Sequence, residues 1–278
     1  MPARFAKRAA VADWSLPRED LSRRAGEGFR PPPHQRAHGH GARIKGSLRR
    51  FADLQFGSIW RDLAALLPQV AGTIADVGCG AQPFRDLLPP HARYIAVDID
   101  DAETQFGYRA ADTRYYHGTA IPLADGEADT VLCTETLEHV LDPEPFLREL
   151  ARSLARGGQL ILTVPFAARW HFVPHDYWRY TPSGLTHLLT RAGFGGVRVY
   201  ARGGALAVAG YKVLGYVLLL LAGHGRKGGA AALWRLLGLC LLPIAALAAF
   251  FGNLGLKYPG SAEDTLGYTV LAHKVGGP

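Results

Sequence analysis

The sequence Ile74-Ala75-Asp76-Val77-Gly78-Cys79-Gly80 joins a short apolar strand pattern to a glycine turn. In an open parallel sheet, ligands bind outside the carboxyl ends of the strands, which is where this turn would lie. Glycine has no Cβ, so the backbone of such a turn can approach a ligand closely. The next strand pattern ends at Asp98, whose carboxylate could accept hydrogen bonds from two ribose hydroxyls. The turn and the acid together predict a nucleoside site.

Strand and helix patterns alternate along the rest of the chain. Apolar residues at helical spacing before Pro68 predict a helix ahead of the first strand. Asp142-Pro143 and Thr181-Pro182 predict two further helix starts, because Asp and Thr cap helices and proline suits the first helical position. Strand patterns lie at residues 73–77, 94–97, 130–133, 159–164, 197–200 and 268–272. This alternation predicts a mostly parallel sheet covered on both faces.

Five motifs follow this alternation: Asp76-Val77-Gly78-Cys79-Gly80, Val97-Asp98-Ile99, Ile121-Pro122-Leu123 before Ala128-Asp129-Thr130-Val131, Leu137-Glu138-His139-Val140, and Gly157-Gly158-Gln159-Leu160. With them the chain resembles the class I S-adenosylmethionine-dependent methyltransferases, in particular the methyltransferase type 11 and ubiquinone-biosynthesis O-methyltransferase groups. The resemblance covers about residues 51–203 and 265–274. It implies an α/β, Rossmann-like, seven-stranded, mostly parallel sheet with an antiparallel last strand, plus an apolar helical insert.

The resemblance also implies S-adenosyl-L-methionine as cofactor. The methionine part would contact Asp76, Gly78, Gly80 and Thr134, with Cys79 in the same turn, while Asp98 would hold the ribose and Ile99 would pack on the adenine. Two departures stand out. Gln82 stands where the family has its third glycine. The acid that often contacts the adenine amino group is missing from residues 117–120, so we expect backbone groups there, including those of Ala120, to contact the adenine. A nicotinamide dehydrogenase shares the turn and the acid, but Pro83 interrupts its full glycine spacing.

A cluster of polar residues follows the fourth strand pattern. Glu135, Glu138 and His139 would share one side of a helix, and two carboxylates with an imidazole suit Mg²⁺ or another divalent cation. By resemblance to ubiquinone-biosynthesis and small-RNA methyltransferases, the ligands would be Glu135, Glu138, His139 and His175, with His171 as a competitor. The catalytic candidates are His139, His175 and Glu138. A metal-free pocket lining and a structural polar network remain alternatives.

Residues 204–256 form the apolar insert, whose second half, 236–256, holds no charged residue. This half is long enough to cross a bilayer. However, a hairpin returning to one sheet would put Arg226 and Lys227 on the far side, against the positive-inside bias. A membrane-interfacial or re-entrant element, a helical lid or dimer surface, and a spanning pair all remain open.

Charge is concentrated at the amino end. Residues 1–50 hold 12 Lys/Arg and 4 Asp/Glu, whereas the rest holds 19 and 20. We expect residues 1–50 to be a basic, mostly disordered tail, and residues 51–203 with 257–278 to form the methyltransferase domain. Three widely spaced cysteines and no continuous apolar signal core predict a reducing compartment without export.

The function expected from the sequence is in-line O-methylation of a lipophilic small molecule or lipid-linked acceptor. We expect a cytoplasmic protein, peripheral at or embedded in the inner face of the membrane. One alternative is an RNA 2′-O-methyltransferase, although the near-neutral body makes nucleic acid an unfavourable partner. Another is a non-catalytic, membrane-tethered, cofactor-binding module.

Overall fold

The fold is built on a seven-stranded sheet. The structure is a computed structural model that describes residues 19–27, 30, 33–36, 40–223 and 226–275. Its strands are β1 (Thr73–Val77), β2 (Arg93–Ile99), β3 (Thr113–Tyr116), β4 (Ala128–Thr134), β5 (Leu154–Pro165), β6 (Phe194–Ala201) and β7 (Gly267–Lys274). The spatial order is β3-β2-β1-β4-β5-β7-β6, and β7 runs antiparallel to both of its neighbours. The predicted mostly parallel α/β sheet with an antiparallel last strand is confirmed.

Helices cover both faces of the sheet and fill the connection between β6 and β7. They are α1 (His40–Ala52), α2 (Leu54–Leu66), α3 (Ala102–Phe106), α4 (Pro143–Ser153), α5 (Pro182–Arg191), α6 (Ala205–Leu221), α7 (Gly228–Cys240) and α8 (Leu242–Lys257). Short 3₁₀ helices lie at Leu21–Arg23, Leu67–Gln69, Arg85–Leu87 and Leu137–His139.

Two apolar layers hold the sheet between its helices. On one face, Leu147 and Leu150 of α4 pack with Ala75 and Val77 of β1. On the other face, α2 packs on Ile74. Successive strand residues point to opposite faces, so one short strand supplies both layers.

The amino-terminal region differs from the expectation. The predicted disordered tail reached residue 50, but α1 already begins at His40 and packs against α2 and α8. The prediction missed this helix because it contains four cations and two glycines. Predictions for residues 1–18, 28–29, 31–32 and 37–39 lie outside the described residues.

The connection between β6 and β7 is an apolar three-helix unit. Its inner side packs through small residues, Ala207, Ala245 and Ala249, around Leu54 of α2. Within the described residues, none of these helices is by itself both long and apolar enough to cross a bilayer. Taken together, α7 and α8 reach that length and hydropathy, but with a bend of 52° between them.

Candidate functional site

The glycine turn lies at the carboxyl end of β1. Gly78 and Gly80 adopt positive φ angles of 75° and 55°. A Cβ on Gly78 would lie 2.2 Å from Oγ1 of Thr136, so the Thr136 side chain leaves room only for glycine. Oδ2 of Asp98 accepts a hydrogen bond from the Gly80 amide at 2.9 Å. The structure therefore brings the turn and the acid of the second strand together.

Asp76 is a buried acid directly below this turn. Its Oδ2 accepts a hydrogen bond from the Tyr94 hydroxyl at 2.7 Å, while its Oδ1 has no hydrogen-bond partner among the described residues. Burial raises the pKa of Asp76 to about 7, the charge of Asp98 adds to this, and the Tyr94 bond opposes it. A buried carboxylate oxygen with spare acceptor capacity fits the ammonium group of a methionine.

Gln82 occupies the place of the missing third glycine. Its φ of 53° is in the left-handed region that glycine would adopt. The side-chain amide donates to the backbone oxygen of Ala111 at 3.1 Å and to Oγ1 of Thr113 at 3.2 Å. These bonds hold Gln82 in a conformation that glycine adopts without strain, so the turn retains its shape.

The other predicted cofactor residues surround the turn at different depths. Cys79 is buried, with Sγ 3.9 Å from Oδ2 of Asp98, and burial raises the pKa of its thiol. Ile99 donates its amide to Asp98 at 2.8 Å. Thr134 ends β4, where its backbone oxygen accepts a hydrogen bond from Thr136. Ala120 is exposed in the loop after β3, so the proposed adenine contact falls on an open loop.

Aromatic rings extend from the turn to a histidine pair. The ring of Tyr108 lies 3.7 Å from the place that a Cβ on Gly80 would occupy, and it stacks on Phe106 at a centroid distance of 6.1 Å. Phe106 in turn lies 5.2 Å from the His139 ring, and His139 lies 5.0 Å from the His171 ring. This row of rings makes one continuous wall from the predicted cofactor edge to the two imidazoles.

Both imidazoles are oriented through Nδ1. Nδ1 of His139 lies 2.6 Å from the backbone oxygen of His175. Nδ1 of His171 lies 2.9 Å from Oδ2 of Asp176 and 3.1 Å from the backbone oxygen of Arg169. These partners are acceptors, so each Nδ1 carries the proton and each Nε2 offers a lone pair. Burial lowers the pKa of His139 to about 4, which keeps this ring neutral.

Glu138 lies beside the pair and is fully buried. Neither carboxylate oxygen has a hydrogen-bond partner among the described residues. Burial and the charge of Glu135 hold its pKa well above the usual range. One ligand atom each from Glu138, His139 and His171 lie within 4.8 Å of one another. This three-residue set is a candidate cation site.

The predicted four-residue metal set is not assembled as expected. Glu135 adopts a φ of 47°, and its Oε1 pairs with the buried Arg202 at 2.8 Å. His175 contributes its backbone oxygen to His139, and His171 lies in the place predicted for the His175 ring. The correction has a local cause, because residues 137–139 form only a single 3₁₀ turn and a longer helix would be needed to align Glu135.

Several site residues were missed by sequence reasoning. Tyr94 and Tyr108 reach the turn from β2 and from the segment after α3, and Arg202 arrives from the end of β6. All three are far from the glycine motif in sequence, and nothing in their local pattern marks them. Asp176 directly follows the predicted His175, but its pairing with His171 could not be predicted because it depends on how the loop folds.

The family comparison covers the central part of the sheet. Residues 75–162 match the family described as a methyltransferase domain. A probable S-adenosylmethionine-dependent methyltransferase of Mycobacterium tuberculosis is 32% identical over 99 residues, covering 34% of this chain and 36% of the relative. A ubiquinone biosynthesis O-methyltransferase of Caulobacter vibrioides is 36% identical over 110 residues, covering 35% and 42%. A thiol S-methyltransferase of Homo sapiens is 28% identical over 153 residues, covering 49% and 61%.

The stretches aligned with the first mycobacterial relatives span 36–57% of the length of those relatives. The family match runs from the strand that carries the glycine turn to the fifth strand, and the sheet continues to residue 274. The chain therefore contains a class I S-adenosylmethionine-dependent methyltransferase domain.

Proposed function

We propose that the protein transfers a methyl group from S-adenosylmethionine to an oxygen atom of a lipophilic acceptor. The cofactor, when bound, supplies an electrophilic methyl on a sulfonium. Asp76 would hold its ammonium, and Asp98 would hold its ribose. The remaining task of the chain is to place a hydroxyl in line with that methyl and to remove the hydroxyl proton.

The His171–Asp176 pair carries this proposal. Asp176 holds the His171 ring through Nδ1, so Nε2 can take a proton from an acceptor hydroxyl as the oxygen attacks. The imidazolium so formed is stabilised by the Asp176 carboxylate, whose own pKa the Arg179 bonds keep low. His171 is 21% exposed and His139 only 9%, so His171 is the ring that an acceptor reaches.

The surroundings of the pair favour an apolar acceptor. Phe172 lies 5.3 Å from His171 and 5.1 Å from Phe106, so apolar rings flank the proposed base. Aromatic and apolar walls with few polar groups are typical of pockets for small apolar ligands. The similarity to a ubiquinone biosynthesis O-methyltransferase supports a hydroxyl acceptor, and the weaker similarity to a thiol methyltransferase makes sulfur the second choice.

The test measures S-adenosylhomocysteine release with a farnesyl-substituted catechol, the same catechol without its chain, an alkyl thiol and an RNA oligonucleotide. We expect S-adenosylhomocysteine release with the farnesylated catechol. The catechol without the farnesyl group should lose the part of that release that depends on the farnesyl group. His171→Ala should lower kcat about 10²–10⁴-fold, with cofactor affinity nearly unchanged. His187→Ala, an exposed histidine of α5, is the matched control and should leave kcat unchanged.

The outcomes separate the alternatives. Full kcat in His171→Ala would overturn the assignment of the base. Turnover with RNA alone would support the nucleic-acid alternative, and cofactor binding without methyl release from any acceptor would support a non-catalytic module.

The cation site is a second proposal and an alternative to the first, because a cation bound to Nε2 of His171 would prevent that atom from taking a proton. It is favoured by the two carboxylate oxygens of Glu138 that have no hydrogen-bond partner among the described residues. The residues fit a cation, because a carboxylate and two imidazoles with their Nδ1 atoms bonded outwards form a ligand set suited to Zn²⁺ or Mn²⁺ more than to Mg²⁺. A cation held there would lower the pKa of a nearby hydroxyl.

Calorimetry with each cation tests this site without any turnover. We expect Glu138→Gln to abolish binding and Glu103→Gln, which changes an exposed carboxylate of α3, to preserve it. Unchanged binding in Glu138→Gln would overturn the site. Full turnover in excess chelator would mean that no cation takes part in the reaction, and that His171, oriented by Asp176, is the group that removes the hydroxyl proton.

A further inference from the structure

The outer side of the three-helix unit is apolar and exposed. On α6, α7, α8 and the residue after α8, fifteen large apolar side chains are exposed: Leu206, Val213, Tyr216, Leu218, Leu233, Leu236, Leu237, Leu239, Leu242, Ile244, Leu247, Phe250, Phe251, Leu254 and Tyr258. Apolar surfaces of this extent on a protein mark interaction sites. The opposite, inner side is already tightly packed, because a Cβ on Gly210 of α6 would lie 2.6 Å from the backbone oxygen of Ala248 in α8 and 3.1 Å from Cδ1 of Leu54 in α2.

Helix α1 extends this surface. Ile44, Leu48 and Phe51, spaced at four and three residues, are exposed on α1. The helix is attached to α8, since Nδ2 of Asn253 donates to the backbone oxygen of Phe51 at 2.8 Å. The two elements are therefore neighbours although about two hundred residues separate them. The exposed apolar residues of α1 and of the three-helix unit, taken together with the exposed cations of the same elements, are here called the apolar–basic face.

The charges of this face have one sign. Residues 40–52 contain Arg43, Lys45, Arg49 and Arg50 and no acid, and residues 204–262 contain five Lys/Arg and no acid. Arg43, Lys45 and Arg235 are exposed. An amphipathic helix with apolar residues on one side and Lys/Arg on the other is typical of elements that lie in a bilayer interface and bind anionic lipids.

We propose that the apolar–basic face docks on the surface of an anionic phospholipid bilayer. Its apolar side chains would enter the boundary between headgroups and acyl chains, and its cations would meet lipid phosphates. A second copy of the chain is a poorer occupant, because a two-fold interface would oppose the same cations with no carboxylate from these segments to pair with them. A bilayer supplies both the apolar volume and the negative charge.

Docking would place the acceptor site next to the lipid. Helix α6 is tied to the loop after β5 by a hydrogen bond from Nζ of Lys212 to the backbone oxygen of Ala167, four residues before His171. The loop that carries the proposed base is thus attached to the face that would meet the bilayer. The docking itself can be measured without turnover, so its failure and a failure of the methyl-transfer proposal are distinguishable.

Vesicle sedimentation of the full-length protein tests the inference. The vesicles are phosphatidylcholine alone and phosphatidylcholine mixed with phosphatidylglycerol. We expect binding to the mixed vesicles that weakens as salt rises. Arg43→Gln with Lys45→Gln should weaken that binding about 25-fold, since each cation near an anionic surface contributes about fivefold. Arg156→Gln with Arg198→Gln, two exposed sheet cations, is the matched control and should bind as the wild type does.

A second pair of variants tests the apolar part. Leu236→Ser with Leu247→Ser should reduce binding to both kinds of vesicle, whereas Leu141→Ser, an equally exposed leucine after the 3₁₀ turn, should not. Circular dichroism melts confirm that each variant is folded. Equal binding to neutral and mixed vesicles, or a stable dimer in ultracentrifugation with no vesicle binding, would overturn the proposal.

Discussion

At the scale of single residues, two positions on the first strand and its turn set the cofactor edge. Gly78 is needed because its φ is positive and because Thr136 fills the space where a Cβ would stand. Asp76 is buried with one oxygen orphaned. Each is a local departure from low-energy structure, and such departures are typical of functional sites.

Gly78→Ala should weaken cofactor binding and lower the free energy of unfolding by about 2–5 kcal/mol, through backbone strain and the clash with Thr136. Gly157→Ala is the matched control. Its φ is 73° and no atom lies within 4 Å of the place that a Cβ would occupy, so it should cost only the strain. Urea denaturation and calorimetry measure both effects. Adding Thr136→Gly to Gly78→Ala should recover the part due to the clash, and no recovery would show that the contact is not limiting.

The buried Asp76 predicts a pH dependence of stability. The pKa is about 7 in the folded protein and lies near its ordinary value when unfolded, so the folded state holds an extra proton between about pH 4 and pH 7. Stability from this group is therefore lost as pH rises through that window, by up to about 4 kcal/mol. Asp76→Asn removes the cost, so its gain over wild type should be small at pH 5 and large at pH 8. A gain that is independent of pH would contradict the assignment.

At the scale of elements, the periodicity of apolar residues located the middle of each predicted strand or helix more accurately than its ends. The strand predicted at 73–77 is β1 without change. Helix α4 begins at the predicted Pro143 and ends at Ser153, because Leu154 already pairs with Ala128 of β4. Asp142 makes no side-chain cap bond there. Strand β3 carries no apolar alternation and was not predicted from its own residues; its pairing with β2 creates it.

One ion pair joins the elements around the site. Arg202, at the end of β6, donates to Glu135, which follows β4, and to the backbone oxygen of Val164. Either Arg202→Met or Glu135→Gln should destabilise by about 3–5 kcal/mol, because each leaves a poorly solvated charge without its partner. The double variant should cost less than the sum of the two.

A double-mutant cycle in urea measures that coupling. The more exposed pair of Arg36 and Asp86, at 2.6 Å, serves as the control and should show a coupling of at most about 1 kcal/mol. A coupling at Arg202 and Glu135 no larger than in the control would show that the pair does not organise the site.

At the scale of the whole molecule, the described residues before α1 close one side of the site. Glu27 accepts from the Phe172 amide at 3.2 Å and pairs with Arg169 at 3.2 Å. Arg30 lies 4.7 Å over the Phe172 ring and donates to the backbone oxygen of Gln105, beside the row of aromatic rings. This segment links α3 to the loop that carries His171.

Releasing this segment should speed cofactor exchange. Arg30→Ala removes both the cation–π contact and the bond to Gln105, so we expect the dissociation rate of S-adenosylhomocysteine to rise several-fold. Arg24→Ala, which removes an exposed contact with Glu19 at 3.8 Å, should leave the rate unchanged. Stopped-flow fluorescence measures both rates. Equal rates in all three proteins would show that the segment does not gate the site.

The sequence by itself determined the strand that carries the glycine turn, the acid of the next strand, the class of sheet and the apolar unit before its last strand. These are local signals, because periodicity and turn chemistry act over a few residues. Tertiary structure alone decided that His171 and not the His175 ring joins His139, that Glu135 faces Arg202, and that α1 lies beside α8. Those choices depend on contacts between segments distant in sequence, whose packing and charge pairing no local pattern encodes.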